Sequence, residues 1–123
     1  MRGMPLPIPP INFWGPAARE FLRLPPKAIE VATVALQLAK QGGKHLKAKP
    51  LRLPGVVGSK VMEIVINVAG DTYRVVYTPL INGEIWVLRA FQKKSTMGIK
   101  TSVAEIQLIL SRYTALLRER GLL

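Results

Sequence analysis

Two arginines on predicted strands are the residues of this sequence with the clearest capacity for chemistry. Arg74 lies in the run DTYRVVYT and Arg89 in the run EIWVLRAF. Alternation of apolar residues along both runs places the two side chains on one side of a sheet, and Lys93 joins them if the second strand continues past Phe91. Guanidinium groups bind phosphate oxygens and an aromatic ring can stack on a base, so this combination is typical of a site for a nucleic-acid phosphate.

The same residues also have simpler explanations. Glu63 falls on the side of Arg74, so the two could form a cross-strand ion pair. Phe91 is as compatible with core packing as with stacking on a base. Solvation alone explains Arg89 poorly, because its neighbours on that side are valine and isoleucine. His45, in the loop GGKHLK, is typical of an exposed residue rather than a catalyst. Arg89 therefore has the stronger claim to a phosphate.

The composition excludes several other kinds of site. The 123 residues include no cysteine and one histidine, which argues against disulfides, thiolate metal sites, a zinc site and a conventional catalytic triad. No apolar run approaches the ~20 residues of a membrane span. Prolines near the N-terminus argue against a signal peptide. The sequence therefore predicts a cytoplasmic protein that needs no cofactor, metal or membrane.

The charge is strongly positive, with 18 Lys and Arg against 7 Asp and Glu and a formal net charge of +11. Two stretches, 31–62 and 85–104, contain no acidic residue. Cations without a carboxylate nearby in sequence are expected to form an exposed surface for a polyanion, of which nucleic acid is the commonest in cells. A solvated face or an acidic protein partner would also account for them. The cations of the two stretches are Lys40, Lys44, Lys47, Lys49, Arg52, Lys60, Arg89, Lys93, Lys94 and Lys100.

The elements that must position these groups follow from periodicity and turn residues. Residues 1–10 are predicted to be a proline-rich flexible leader, and 11–123 a single domain. A strand is predicted over 11–14, helices over 17–22 and 27–41, a basic connector over 44–60, strands over 61–68, 72–78 and 84–91, and a helix after 102. The order β-α-α-β-β-β-α predicts an α+β fold. We expect an antiparallel sheet with helices on one face and the other face open and basic.

The last helix has the clearest signals. Ser102 and Glu105 form a capping box at its start. An apolar stripe at helical spacing follows, made of Val103, Ile106, Leu110, Tyr113 and Leu117. The helix-covered face of the sheet is expected to hold Met62, Ile64, Ile66, Tyr73, Val75, Tyr77, Trp86, Leu88 and Ala90.

Several segments carry a family resemblance. They are AKPLRLPG at 48–55, EI at 63–64, DTYRVVYT at 71–78, WVLRAFQKKSTMGIKT at 86–101 and EI at 105–106. In order and spacing they resemble the phage-related, HigB-like branch of the RelE/ParE toxin superfamily. AFQKKS followed by G-I-x-T is the most specific element. The resemblance covers about residues 11–118 and leaves the leader outside.

This resemblance implies a RelE-like fold and a toxin of a type II toxin–antitoxin pair, with a helix-turn-helix antitoxin. RelE-like relatives cleave mRNA on the ribosome, without a metal, by attack of the adjacent 2′-hydroxyl. By position, Arg74 and Arg89 would clamp the phosphate, and Lys93 or Lys94 would assist proton transfer. Glu63 would accept a proton or orient Arg74. Residues implied to bind RNA are Lys47, Lys49, Arg52, Lys94 and Phe91.

Two departures from the branch keep alternatives open. The branch commonly has histidine where this chain has Arg89, and an arginine cannot accept a proton at neutral pH. Ser102 stands where the branch usually has proline, and serine caps a helix well. The alternatives are a non-enzymatic ParE-type toxin that poisons gyrase, and a decayed prophage remnant that binds RNA without cutting it.

Overall fold

Eight helices and strands are present in residues 11–93 and 101–123, which are the residues that the computed structural model describes. The predicted leader, 1–10, lies outside them. The strands are β1 (Asn12–Phe13), β2 (Ala48–Pro50), β3 (Met62–Val68), β4 (Asp71–Tyr77) and β5 (Trp86–Lys93). The helices are α1 (Ala17–Leu22), α2 (Pro26–Lys40) and α3 (Val103–Glu119). None of these helices, within the described ranges, has the length and apolarity needed to cross a membrane.

The strands form one sheet in the order β1-β5-β4-β3-β2. The central β3, β4 and β5 pair antiparallel through short connections, β2 pairs antiparallel with β3, and β1 pairs parallel with β5. The predicted α+β class with an antiparallel sheet is confirmed, and the architecture is consistent with a RelE-like fold. The sequence missed β2, because its three residues lie inside the segment that was interpreted as a basic connector.

Helices cover both faces of the sheet. One buried cluster joins α1 and α2 to the first face through residues such as Phe21, Leu36, Ile64 and Val75. The second face carries another buried cluster, which includes Val76, Leu88 and Phe91 of the sheet and Ile109, Tyr113 and Leu116 of α3. The prediction that the second face is open was therefore wrong. Apolar residues on both faces of a sheet require cover on both sides, and α3 supplies it on the second.

An irregularity in β5 changes which residues face which side. Val76 of β4 pairs with Arg89, but Tyr77 pairs with Val87, so Leu88 is an extra residue in β5. Such a bulge resets the alternation of side chains. Leu88 therefore packs on the α3 side, contrary to prediction, while Arg89 stays on the side of Val76 and Arg74. Trp86 also packs on the α3 side.

The start of α3 agrees with its predicted cap. Its stripe agrees in part, since Tyr113 is buried and Ile106, Leu110 and Leu117 pack against the same cluster. Ser102 is the N-cap, and its hydroxyl accepts a hydrogen bond from the backbone N–H of Glu105 at 3.2 Å. Val103, predicted to be on the apolar stripe, is 76% exposed. The residues of α3 that are buried are Ile109, Arg112, Tyr113 and Leu116. The true stripe includes a charged residue, which an apolar pattern excludes.

Candidate functional site

A cleft of about 720 Å³ lies along the end of β5, next to α1 and the start of α3. Its position follows from the short β1, which pairs with Trp86 and Val87 only. The later part of β5 therefore lies beside α1 rather than beside another strand. The cleft is lined by Glu20, Arg23, Leu24, Tyr73, Arg89, Ala90, Phe91, Gln92, Lys93, Ser102 and Glu105. Three cations, two carboxylates and two aromatic rings thus meet in one place.

Arg89 bridges the two carboxylates of this cleft. Its Nε and Nη2 atoms donate to Glu105 at 2.7 and 2.8 Å, and Nη1 lies 2.8 Å from Glu20. The hydrogen bonds from Arg89 to Glu105, with the nearby charge of Glu20, raise the pKa of Arg89. Its side chain is 19% exposed. Arg89 is therefore a fixed cation that still reaches the cleft, with its hydrogen-bonding groups already turned toward carboxylate oxygens.

Glu20 also completes the edge of the sheet. Its carboxylate accepts from the backbone N–H of Ala90 at 3.3 Å and from both terminal nitrogens of Arg112 at 2.8 Å. Arg112 in turn donates to the carbonyl of Leu88 at 2.7 Å. An α1 carboxylate and an α3 guanidinium thus replace a neighbouring strand, and they satisfy two backbone groups that an edge strand leaves unpaired.

The acid stability of the protein should depend on Glu20. Burial works to raise the pKa of this carboxyl, but hydrogen bonds from Arg112 and the charges of Arg89 and Arg112 outweigh burial and lower it below its ordinary 4.5. A lowered folded-state pKa gives stability that is complete above the unfolded value and is lost as the pH falls through the folded one. Glu20→Gln is expected to flatten the loss of stability below about pH 4.5.

Urea unfolding from about pH 7 to about pH 3 would measure this effect. The control is Glu30→Gln, since Glu30 is an exposed carboxylate beside Lys27. Equal acid dependence in the wild type and Glu20→Gln would contradict the assignment.

Arg74 forms an enclosed ion pair with Glu63. Nη1 of Arg74 donates to Glu63 at 2.8 Å, and the two side chains are 3% and 4% exposed. The Thr101 hydroxyl accepts from Arg74 at 2.8 Å and donates to Glu63 at 3.0 Å. The structure thus shows the cross-strand ion pair, and the expectation of an Arg74 open to a phosphate is not met. Glu63 and Thr101 thus both hold the Arg74 side chain by hydrogen bonds.

The other predicted site residues fall into two groups. Lys93 and Phe91 line the cleft with Arg89, whereas Arg74 does not. Phe91 is 8% exposed and packed in the α3-side cluster, with the Arg89 guanidinium 5.2 Å from its ring centre, which favours packing over stacking on a base. Lys47, Lys49 and Arg52 lie in or beside β2, three strands from β5 and so about 14 Å across the sheet. Lys94 lies outside the described residues.

Sequence reasoning missed five residues of this region, namely Glu20, Arg23, Tyr73, Glu105 and Arg112. A signal was present for two of them. Glu20 lies at helical spacing with the buried Ala17 and Phe21, and Arg112 lies between the buried Ile109 and Leu116. A charged residue on a buried helical stripe requires a partner of opposite charge. Pairing such residues across the chain would have predicted Glu20 with Arg112.

Comparison with known proteins identifies the family. A search of curated proteins finds no match. The family model described as Phage derived protein Gp49-like matches residues 19–114, which include α2, every strand except β1, and most of α1 and α3. Because this match covers most of the chain, the protein belongs to the Gp49-like family of phage-derived proteins, a family of RelE/HigB-like toxins.

Proposed function

We propose that the protein is the toxin of a type II toxin–antitoxin pair and cleaves mRNA on the translating ribosome, as HigB-like relatives do. Membership of a toxin family and the net charge of +11 support this proposal. The observation that carries it is the cleft, where Arg89 meets Arg23, Lys93 and two carboxylates. Cations for a phosphate and oxygens for a proton are what metal-free RNA cleavage requires.

In this proposal, the 2′-hydroxyl attacks the adjacent phosphorus and the bond to the 5′-oxygen breaks, which leaves a cyclic phosphate and a 5′-hydroxyl. Arg89 and Arg23 hold the phosphate oxygens and neutralise the charge that develops on them. Glu105, 22% exposed, accepts the 2′-hydroxyl proton more readily than the enclosed Glu63. Lys93 gives a proton to the departing 5′-oxygen. Arg74 acts indirectly, through the shape of the sheet.

The cations near β2 have a separate role in the proposal. Lys47 and Arg52 are exposed and Lys49 is half-buried. We assign them to flanking phosphates of mRNA or ribosomal RNA, a contact that does not depend on the base sequence. Such contacts release counterions, so affinity falls as salt rises.

Replacing these three cations by alanine should reduce the salt dependence of RNA binding. The slope of log affinity against log salt is expected to become shallower by about two, since each phosphate contact to a single strand contributes about 0.7. Fluorescence anisotropy with a single-stranded RNA over a salt series measures it. The matched control replaces three exposed helix cations, Arg19, Lys27 and Arg118. An equal change of slope in both triple variants would show that only net charge matters.

Primer extension on a translated mRNA tests the proposed activity. Cuts with 5′-hydroxyl ends are expected when the protein and ribosomes are both present. Intact transcripts during growth arrest would contradict cleavage.

A second candidate function has one observation in its favour. Arg74 and Arg89 are both bound by carboxylates, which reduces the positive charge that either offers to a phosphate. This arrangement suits a toxin that acts by binding alone, such as a gyrase poison of the ParE type, or an RNA-binding prophage remnant. Inhibited DNA supercoiling with intact mRNA would indicate the gyrase poison. RNA binding without growth arrest would indicate the remnant.

A further inference from the structure

A second concavity, of about 460 Å³, lies at the opposite end of the sheet from the cleft. We call it the Tyr77 groove. It forms where the end of α2 meets the start of β3, the end of β4 and the residue that precedes β5. Its apolar walls include Met62, Leu80 and Ile85. On β4, Tyr77 is four residues from Tyr73 of the cleft, or about 13 Å along the strand. A molecule in the groove would leave the cleft uncovered.

Two lysines give this groove its charge. Lys44 and Lys60 line it, both are exposed, and neither forms an ion pair with any residue in 11–93 or 101–123. Among the described residues, no acidic side chain lines the groove. Lys40, at the end of α2 nearby, donates to the carbonyl of Gly83 at 3.0 Å. The groove therefore combines an apolar interior with two cations that are available to an anion.

Tyr77 supplies a polar group inside the groove. The residue is 3% exposed, yet its hydroxyl forms no hydrogen bond within the described part of the chain. A fully enclosed hydroxyl would be a buried polar atom without a partner, and the hydroxyl of Tyr77 is not one of these. The small exposed part of Tyr77 therefore includes its hydroxyl. Burial raises the pKa of Tyr77, so the hydroxyl keeps its proton at neutral pH and can donate to a carboxylate.

We infer that the Tyr77 groove binds an acidic segment of the antitoxin that inserts an apolar side chain between its carboxylates. The inference rests on the proposed toxin–antitoxin function. An apolar anchor in a pocket with charged groups at its rim is the usual centre of a specific interface. The apolar wall is accessible to such an anchor, since Leu80 is 48% exposed.

Charge reversal in the groove tests the inference. The antitoxin used is the product of the neighbouring reading frame that restores growth when it is co-expressed. Lys44→Glu with Lys60→Glu should weaken its binding about a hundredfold, because like charges would then face each other. Tyr77→Phe should weaken it about fivefold through loss of one hydrogen bond. Isothermal titration calorimetry measures both, and mRNA cleavage by Tyr77→Phe should equal that of the wild type.

The matched control reverses two charges elsewhere in the same basic region, with Lys47→Glu and Lys49→Glu. This pair should bind the antitoxin as the wild type does and lose RNA affinity. The inference about the groove would be wrong if both double variants lost antitoxin binding equally, or if the groove double variant bound as the wild type does. Either result would leave the toxin assignment in place. If no neighbouring product binds or neutralises the wild-type protein, the toxin–antitoxin assignment itself fails.

Discussion

Arg74→Met is expected to lower the free energy of unfolding by about 3–5 kcal/mol, because it leaves the Glu63 carboxylate enclosed without its cation. The two side chains are 3% and 4% exposed and 2.8 Å apart, so water cannot replace the lost partner. A domain of this size has a total stability of about 5–15 kcal/mol, so the variant should be close to unfolding. Urea unfolding followed by circular dichroism measures the loss.

The double variant Arg74→Met with Glu63→Leu is the control for this prediction. Removing both charges leaves neither group unpaired, so most of the lost stability should return. If the single and double variants are equally unstable, packing rather than charge explains the effect. If Arg74→Met loses toxicity and the double variant regains it, the loss reflects unfolding and not a catalytic role of Arg74.

Arg89→Ala is expected to reduce mRNA cleavage by about 10²–10³-fold, the usual effect of removing one preorganised donor from a transition state. Its cost in stability should be smaller than that of Arg74→Met, about 1–3 kcal/mol, because the Arg89 side chain is 19% exposed. Primer extension with titrated protein measures cleavage, and urea unfolding measures stability on the same samples.

Arg120→Ala is the matched control, because Arg120 also pairs with a carboxylate, that of Glu84, but lies outside the cleft. It should cleave as the wild type does. The variant Arg89→His gives a second test of the role of Arg89, since histidine is the residue common in the HigB-like branch. A histidine carries its charge only below about pH 6.5, so cleavage by this variant should rise as the pH falls. Wild-type cleavage by Arg89→Ala would remove Arg89 from the site.

Much of the fold could be predicted from local patterns, and the failures have definite causes. The strand alternation was correct along β3 and β4, and it placed Glu63 beside Arg74. It failed in β5, where a single extra residue, Leu88, reverses the faces of the residues that precede it, 85–87. No local signal marks that bulge. The position of α3 was missed because all helices were assigned to one face.

The site was less predictable than the fold because its partners are distant in sequence. The absence of acidic residues from 85–104 predicted that Arg89 is a poor candidate for a local ion pair and is available to a polyanion, but Arg89 pairs with two carboxylates. Its partners come from α1 and from the first turn of α3, however, and a window along the chain cannot detect them. Folding therefore brings two carboxylates, those of Glu20 and Glu105, to an arginine whose neighbours in sequence are not acidic.

The bond between Glu20 and Arg112 joins residues 92 positions apart. Arg112 follows α1 and every strand of the sheet in the sequence, so a growing chain contains α1 and these strands before it contains the guanidinium that finishes the edge of β5. A chain that has not yet reached Arg112 therefore lacks the Glu20–Arg112 hydrogen bonds beside the cleft. The order of translation thus delays assembly of the cleft until α3 has been synthesised.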